Sequence, residues 1–257
     1  MSRFTLDQEI RLVQDEILLL GSLVEQAILN SVDALQRRDA TAAQRVYEND
    51  RKINAKHHAI ENHILITFAT QSPLASDLRF LAAMLEVNTE LERIGDYAKG
   101  ISKVAIHLAD SDYAIPIREI QQMADLATSM LHRSLGAFVA GDTVAAHSIP
   151  EEDNQVDELY ESIYRKIVEG MIKNPDTIDL GNQVIWVIHN LERTADRVTN
   201  ICERVVFIVS GESVEFDVYD DEQIEQKKKQ GIKKEETRDE HVFCCLVTLW
   251  GKKKKKK

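Results

Sequence analysis

The sequence predicts an all-α fold in which one three-helix bundle is repeated in tandem. Gly (10) and Pro (4) are scarce among the 257 residues, and aromatic residues make up only 6%. This composition favours helices, because sheets need Gly and Pro at their many turns. Apolar residues recur every three or four positions, which is the spacing of one helix face. The same pattern begins again about 100 residues later, which indicates a duplicated unit.

The first unit is predicted to contain helices over residues 6–38, 41–70 and 77–107. Asp39 marks the first break, and the polar segment before residue 77 provides Ser76 as an N-cap for the third helix. The apolar stripe of the first helix is Ile10, Val13, Ile17, Leu20, Val24, Ile28, Val32 and Leu35. That of the second is Val46, Ile53, Ile60, Leu65 and Phe68. Stripes of this kind predict that each helix packs one face into a common core.

The second unit begins after a proline-containing break at residues 110–116. Its helices are predicted over 118–140, 143–174 and 178–210. A kink is expected near Pro150, because proline cannot donate the backbone hydrogen bond of a helix interior. Gly211 is expected to end the last helix.

Matched residues support the duplication. With an offset of 103 positions, Leu23, Ser31, Asp39, Ala43, Asp50 and Ile53 correspond to Leu126, Ser134, Asp142, Ala146, Asp153 and Val156. In the third helices the offset is 100, and Leu91, Glu92, Arg93 and Asp96 correspond to Leu191, Glu192, Arg193 and Asp196. We therefore predict a first repeat at 1–110, a second at 116–215 and a charged tail at 218–257.

The charge is distributed unevenly. The tail from residue 218 holds 12 basic and 8 acidic residues, which leaves 20 basic and 35 acidic residues in the body, a net charge of −15. An acidic body argues against nonspecific binding to nucleic acid, because phosphate would be repelled. It is compatible with cation binding, and equally with solubility alone.

No signal peptide, membrane-spanning segment or disulfide framework is expected. Charged residues interrupt the first 20 positions, and no apolar run approaches the roughly 20 residues that span a bilayer. The three cysteines, two of them adjacent, do not have the spacing of a disulfide framework or a zinc site. A cytoplasmic protein is therefore expected, and no function is assigned to the tail, which is predicted to be disordered or loosely helical.

Four polar pairs at i, i+4 spacing are the candidate metal ligands. They are Asp50/Asn54, Glu92/Asp96, Asp153/Asp157 and Glu192/Asp196. Residues four apart lie on the same helix face, so each pair presents two oxygen donors about one turn apart. Since a short loop joins the second and third helices of each repeat, we expect the two pairs of a repeat to approach each other. Oxygen ligands of this kind suit Mg, Mn or Fe, with Zn as a further candidate.

Other interpretations of these residues stay open at this point. The acidic residues also fit the solvated face of a purely structural helical bundle, and Arg93 and Arg193 are potential partners for them. His57, His58 and His189 lie within reach of the pairs, but surface or packing roles are favoured for them. A metal-dependent phosphohydrolase is an alternative function, because carboxylate-bound metals activate water. The sequence contains no Glu-x-x-His, HExxH, G-x-S-x-G or Gly-rich phosphate motif to support an enzyme.

The chain resembles the PhoU family over residues 6–212. The resemblance rests on four segments in the right order and spacing: SPLASDLR at 72–79, ELERIGD at 90–96, DNQVD at 153–157 and LERTAD at 191–196. It departs from the family pattern at Asn54, which replaces an acid and implies a weaker first metal site, and at Ala195, where the first repeat has Gly95.

The resemblance implies a function as well as a fold. It implies E/D-x-x-x-D motifs that bind metal clusters, and a cytoplasmic, non-enzymatic regulator, often a homodimer, at the inner membrane face through its partners. The implied partners are the ATPase subunit of the phosphate ABC transporter and a PhoR-type sensor histidine kinase. The implied role is to repress the phosphate-starvation response and to restrain phosphate uptake when phosphate is plentiful.

Overall fold

The computed structural model describes residues 3–216, and every regular element in that part of the chain is helical. The helices are α1 (Arg3–Arg37), α2 (Ala40–Gln71), α3 (Ser76–Leu108), α4 (Ile117–Ala140), α5 (Thr143–Ser148), α6 (Asp153–Lys173) and α7 (Ile178–Ser210). The all-α tandem repeat is confirmed. The tail prediction at 218–257 lies outside the described residues.

Matched aspartates start the second helix of each repeat. Asp39 Oδ1 accepts a hydrogen bond from the backbone N–H of Ala42 at 2.8 Å. In the second repeat, Asp142 accepts from the backbone N–H groups of Val144 and Ala145, both at 3.0 Å. Each side chain satisfies donors that the first turn of a helix leaves without an intrahelical partner. The two breaks predicted from the sequence are therefore caps of the same kind.

One detail of the second repeat agrees with the prediction, and one detail of the first does not. Pro150 divides the predicted helix 143–174 into α5, a 3₁₀ turn at Pro150–Glu152 and α6, so the expected kink is present. Ser76 is the first residue of α3, and the cap position is occupied by Ala75, whose backbone has a positive φ of 44° and whose side chain forms no cap. The prediction of Ser76 as a cap was wrong, because the backbone N–H groups of Asp77 and Arg79 donate to the carbonyl oxygens of Leu74 and Ala75.

The core lies between the three helices of each repeat and continues from one repeat to the other. In the first repeat α1, α2 and α3 pack against one another, and in the second α4, α5, α6 and α7 do so. Contacts of α3 with α7 and of α1 with α4 join the repeats, so residues 3–214 belong to one compact unit. The predicted stripe of α1 is buried from Val13 to Leu35, and Ile10 is half-buried.

Helix α1 is more apolar than expected, since no segment long and apolar enough to span a membrane was predicted. By length and composition it is apolar enough to cross a membrane, and 44% of its most apolar 18-residue window is buried within the fold. A core helix meets the same criterion, because a buried stripe needs many apolar residues. The structure places this stripe against α2, α3 and α4.

Candidate metal-binding clusters

The first acidic cluster comprises Asp50 and Asn54 on α2 with Glu92 and Asp96 on α3. Asp50 is only 3% exposed, Asn54 and Glu92 are half-buried, and Asp96 is exposed. Helices α2 and α3 are packed neighbours. Burial, and then the charges of Asp96 and Asp50, raise the pKa of Glu92. The charge of Asp50 on α2 therefore acts on Glu92 on α3.

Asp50 already has two cationic or polar partners on one of its oxygens. Lys99 Nζ lies 2.7 Å from Asp50 Oδ2, and Asn54 Nδ2 donates to the same oxygen at 3.1 Å. Lys99 Nζ is also 3.7 Å from Asp96 Oδ1. Asp50 Oδ1 and Asn54 Oδ1 are buried and have no hydrogen-bond partner among the described residues. The ammonium group of Lys99 therefore lies between carboxylates of α2 and α3.

The second acidic cluster comprises Asp153 and Asp157 on α6 with Glu192 and Asp196 on α7. Asp153, Glu192 and Asp196 are half-buried and Asp157 is exposed. Burial, and then the charge of Asp157, raise the pKa of Glu192, while Arg193 lowers it. The charge of Asp157 on α6 thus acts on Glu192 on α7, and these two helices are packed neighbours. Whether these side chains are metal ligands stays a prediction.

Histidines lie beside both clusters. His57 Nδ1 is 3.2 Å from the carbonyl oxygen of Asn88, and the charge of His57 lowers the pKa of Glu92. His189 Nδ1 is 3.1 Å from Glu192 Oε2, although the two groups are not aligned as a hydrogen bond. The sequence favours surface or packing roles for His57 and His189, because helical spacing alone does not show which face a histidine occupies.

The carboxylates of the two clusters do not converge tightly. In the part of the chain that the structure describes, one group of three His, Cys, Asp or Glu side chains has ligand atoms within 4.8 Å of one another, and it is His57, His58 and Glu61. Like charges repel, so acids that share a face separate unless a cation lies between them. The acidic side chains would therefore move together on binding an ion.

The partners of Arg93, Arg193 and Lys99 differ from those that the sequence suggests. Arg93 pairs with Glu90 at 2.8 Å, outside the cluster, and the guanidinium of Arg193 lies 4.7 Å from the centre of the Tyr97 ring. Neither forms a described ion pair with the cluster acids that precede them on the helix. Lys99 does, and the sequence analysis missed it. The available signal was its position three residues after Asp96, on the same helix face.

Comparison with known proteins agrees with this architecture. The family model "PhoU domain" matches the chain twice, at residues 17–105 and 120–205. The chain belongs to the PhoU family. Each match covers most of one three-helix repeat, and together they contain all eight predicted ligand residues.

Curated PhoU relatives match along nearly their whole length. A Streptococcus pneumoniae protein described as "Phosphate-specific transport system accessory protein PhoU homolog" is 35% identical over 211 residues, covering 82% of this chain and 97% of that protein. The Edwardsiella tarda protein described as "Phosphate-specific transport system accessory protein PhoU" is 32% identical over 204 residues, covering 79% of this chain and 84% of that protein. The similarity thus extends over about four fifths of this chain.

Solved PhoU structures share the fold. The crystal structure of PhoU from Pseudomonas aeruginosa has a TM-score of 0.76 and 31% identity, covering 80% of this chain and 99% of that one. The regulatory protein PhoU of the phosphate transport system from Streptococcus pneumoniae has a TM-score of 0.76 and 34% identity, covering 82% and 100%.

Proposed function

We propose that this PhoU-family chain is a regulator of phosphate-specific transport that binds metal ions and works as a non-enzymatic adaptor. The observation that supports this most is the match of both repeats to proteins described as accessory to the phosphate-specific transport system. The role proposed is to connect the ATPase subunit of the phosphate ABC transporter with a PhoR-type sensor histidine kinase. When phosphate is plentiful, the chain represses the starvation response and restrains uptake.

Metal binding is the chemical part of the proposal. The second acidic cluster offers four carboxylates from two packed helices, and the burial of Glu192 beside Asp157 raises its pKa. A bound cation would relieve this repulsion and hold α6 against α7. Hard oxygen ligands suit Mg, Mn or Fe, with Zn as a further candidate. The metal would therefore have a structural or switching role at the helix surface.

The adaptor role is supported by the charge of the body. Residues 1–217 carry a net charge of −15, and an acidic surface steers association with a basic patch on a partner. Such steering raises the association rate and weakens with added salt. We therefore expect the complexes with the transporter ATPase and the kinase to form more slowly as ionic strength rises.

The cellular test is complementation. A bacterium that lacks its own PhoU is expected to regain repression of a phosphate-starvation reporter in phosphate-rich medium when it expresses this chain. Co-purification from the same cells, followed by identification of bound proteins and metals, tests the partners directly. If the chain bound both partners in these cells and did not restore repression, the adaptor role would be contradicted, because binding would then not transmit the phosphate signal.

The metal test uses purified protein. Alanine at Glu192 and Asp196 is expected to remove the metal bound at the second acidic cluster and leave the helical circular dichroism spectrum intact, because both side chains are partly exposed. Equal metal content in the variant and the parent would contradict the assignment of the second acidic cluster. The parent is expected to release no phosphate from a phosphomonoester in the presence of Mg, Mn or Fe. Turnover that disappears with the Asp196 variant would support a phosphohydrolase.

A further inference from the structure

We propose that His57, His58 and Glu61 on α2 bind a divalent transition-metal ion of the kind that prefers imidazole ligands, with Zn²⁺ as the representative ion. These residues belong to neither acidic cluster, and the inference does not depend on the metal binding proposed for the clusters. All three ligands come from one helix of the first repeat, so the site needs no movement of one helix against another.

The ligand atoms of these three side chains lie close together. One nitrogen of each histidine and one carboxylate oxygen of Glu61 are within 4.8 Å of one another. His58 Nδ1 is 3.7 Å from Glu61 Oε2, which is longer than a hydrogen bond. Two ligand atoms of a tetrahedral Zn²⁺ ion lie about 3.3 Å apart, because each is about 2.0–2.2 Å from the metal. Small rotations of the side chains therefore suffice to place all three ligands on one ion.

Asn88 on α3 holds the His57 ring in the orientation that a metal ligand needs. His57 Nδ1 donates to the backbone carbonyl oxygen of Asn88 at 3.2 Å, because a carbonyl oxygen can only accept. In return, Nδ2 of Asn88, a residue that is 1% exposed, donates to the backbone oxygen of His57 at 3.1 Å. With the proton on Nδ1, the lone pair of the neutral ring is on Nε2. Histidines that bind metals are commonly supported in this way, by a carbonyl oxygen on the second ring nitrogen.

The ligand types select a different class of ion from that of the acidic clusters. Imidazole nitrogen suits Zn²⁺, Cu²⁺ and Ni²⁺, whereas Mg²⁺ and Ca²⁺ take oxygen ligands. Two histidines and one glutamate form a known type of three-ligand zinc site, which keeps a fourth position for water. The side chains of His58 and Glu61 are 69% and 47% exposed. An ion can therefore enter from solvent and exchange with it.

The second repeat has aromatic residues at the matched positions. With the offset of 103 residues, Tyr160 and Tyr164 correspond to His57 and Glu61. The two tyrosine rings stack on each other, with their centroids 6.1 Å apart. The same helix face thus carries packed rings in one repeat and nitrogen and oxygen ligands in the other. The site is therefore specific to the first repeat and separate from the duplicated acidic pattern.

Equilibrium dialysis of the full chain against Zn²⁺ tests the inference. The cysteines are alkylated first, because thiolates also bind Zn²⁺. His58→Gln and Glu61→Gln are each expected to weaken Zn²⁺ binding at least about tenfold, because each removes one of three ligands. Both side chains are partly exposed, so the helical circular dichroism spectrum should be unchanged. His132→Gln and Glu48→Gln make the same substitutions at other exposed positions and serve as matched controls, with no weakening expected.

Chemical modification supplies a second measurement, which reports on each histidine separately. Diethyl pyrocarbonate acylates a free nitrogen of neutral imidazole, and mass spectrometry of peptides locates the modified residue. Zn²⁺ is expected to slow the modification of His58 and to leave that of His132, whose side chain is 78% exposed, unchanged. In the Glu61→Gln variant the same Zn²⁺ concentration should no longer protect His58.

The outcomes separate this site from the acidic clusters. Equal Zn²⁺ affinity in the parent, His58→Gln and Glu61→Gln would overturn the inference, and so would unprotected His58 at saturating Zn²⁺. A loss of Zn²⁺ binding as large in Asp96→Asn as in His58→Gln would place the ion in the first acidic cluster, which overturns the inference and leaves the proposed function intact. Protection of His58 by Zn²⁺ in a chain that binds no metal at its acidic clusters would support the inference and contradict the metal part of the proposed function.

Discussion

The close contact of Gly95 with Ile53 permits a quantitative prediction about how α2 packs on α3. A Cβ added at Gly95 would lie 2.9 Å from Ile53 Cγ2 and 3.3 Å from its Cδ1. Ile53 is 4% exposed, and its branched side chain has little rotational freedom within a helix. The matched pair in the second repeat is Ala195 with Val156. The repeat with the larger aliphatic residue thus has the glycine, and the repeat with the smaller one has the alanine.

The expected energies follow from this contact. Gly95→Ala gains about 1 kcal/mol of helix propensity and loses roughly 1–3 kcal/mol by overpacking against Ile53. Ile53→Val alone costs about 0.5–1.5 kcal/mol. The double variant, which reproduces the pair found in the second repeat, removes the Cδ1 contact at 3.3 Å, keeps the Cγ2 contact at 2.9 Å and keeps the gain in helix propensity, so it relieves part of the overpacking. We therefore expect it to be more stable than the sum of the single variants by more than about 0.5 kcal/mol.

Urea unfolding of the parent, both single variants and the double variant, followed by circular dichroism at 222 nm, measures this coupling energy. The parent and the variants must have equal denaturant slopes, so that differences in midpoint report stability. Additivity within about 0.5 kcal/mol would refute the reasoning, because it would show that α2 and α3 separate without cost. In that case the spacing of the first acidic cluster would not be fixed by this contact either.

Two further predictions concern ion pairs outside the clusters. His63 Nε2 lies 2.8 Å from Glu9 and its Nδ1 lies 2.9 Å from Glu16; burial opposes the charged imidazole, but the two hydrogen bonds outweigh it and raise the pKa of His63 above 6.5. The charged His63 therefore stabilises the fold fully below pH 6.5, and this stabilisation is lost as the pH rises through the raised pKa. The loss of unfolding free energy caused by His63→Gln should accordingly be larger at about pH 5.5 than at about pH 9. A loss that does not depend on pH would contradict this prediction. Arg133 donates two hydrogen bonds to Glu152 at the protein surface. Arg133→Met should lower the free energy of unfolding by at most about 1 kcal/mol in dilute buffer and by less at high salt. A larger loss that salt does not reduce would show that the pair is effectively buried.

The sequence predicted the fold well because the repeated pattern reports burial directly. The stripe from Val13 to Leu35 is buried as predicted, and the duplicated aspartates at the helix starts are caps in both repeats. The predicted apolar stripe of α2 was wrong at one point, where two adjacent residues are both apolar and only one of them is buried. Near the end of α2, Ile64 is buried and Leu65 is 50% exposed, although both are equally apolar, because the direction of the stripe drifts along a long helix.

The candidate clusters were predictable only in part. Spacing placed the acidic pairs on helix faces, and the short loops placed the paired helices side by side. The reach of a long side chain such as Lys99 across to Asp50 depends on the rotation of α3 about its axis, which no single-helix pattern specifies. Arg93 differs, because its partner Glu90 lies three residues earlier on the same helix, a spacing that is visible in the sequence.

The interface between α3 and α7 shows what a duplicated sequence leaves undetermined. Asn200 Nδ2 lies 3.4 Å from Glu90 Oε2, and a Cβ at Gly100 would lie 3.3 Å from Asn190 Nδ2. These are the same two positions meeting twice with the repeats exchanged, which is the contact pattern of a twofold axis. One copy of the contact pairs a carboxylate with an amide, and in the other a Cβ at residue 100 would be in tight contact with the side-chain amide of Asn190. Since the two copies use different residues, the side chains where the repeats join do not keep the symmetry of the duplicated unit.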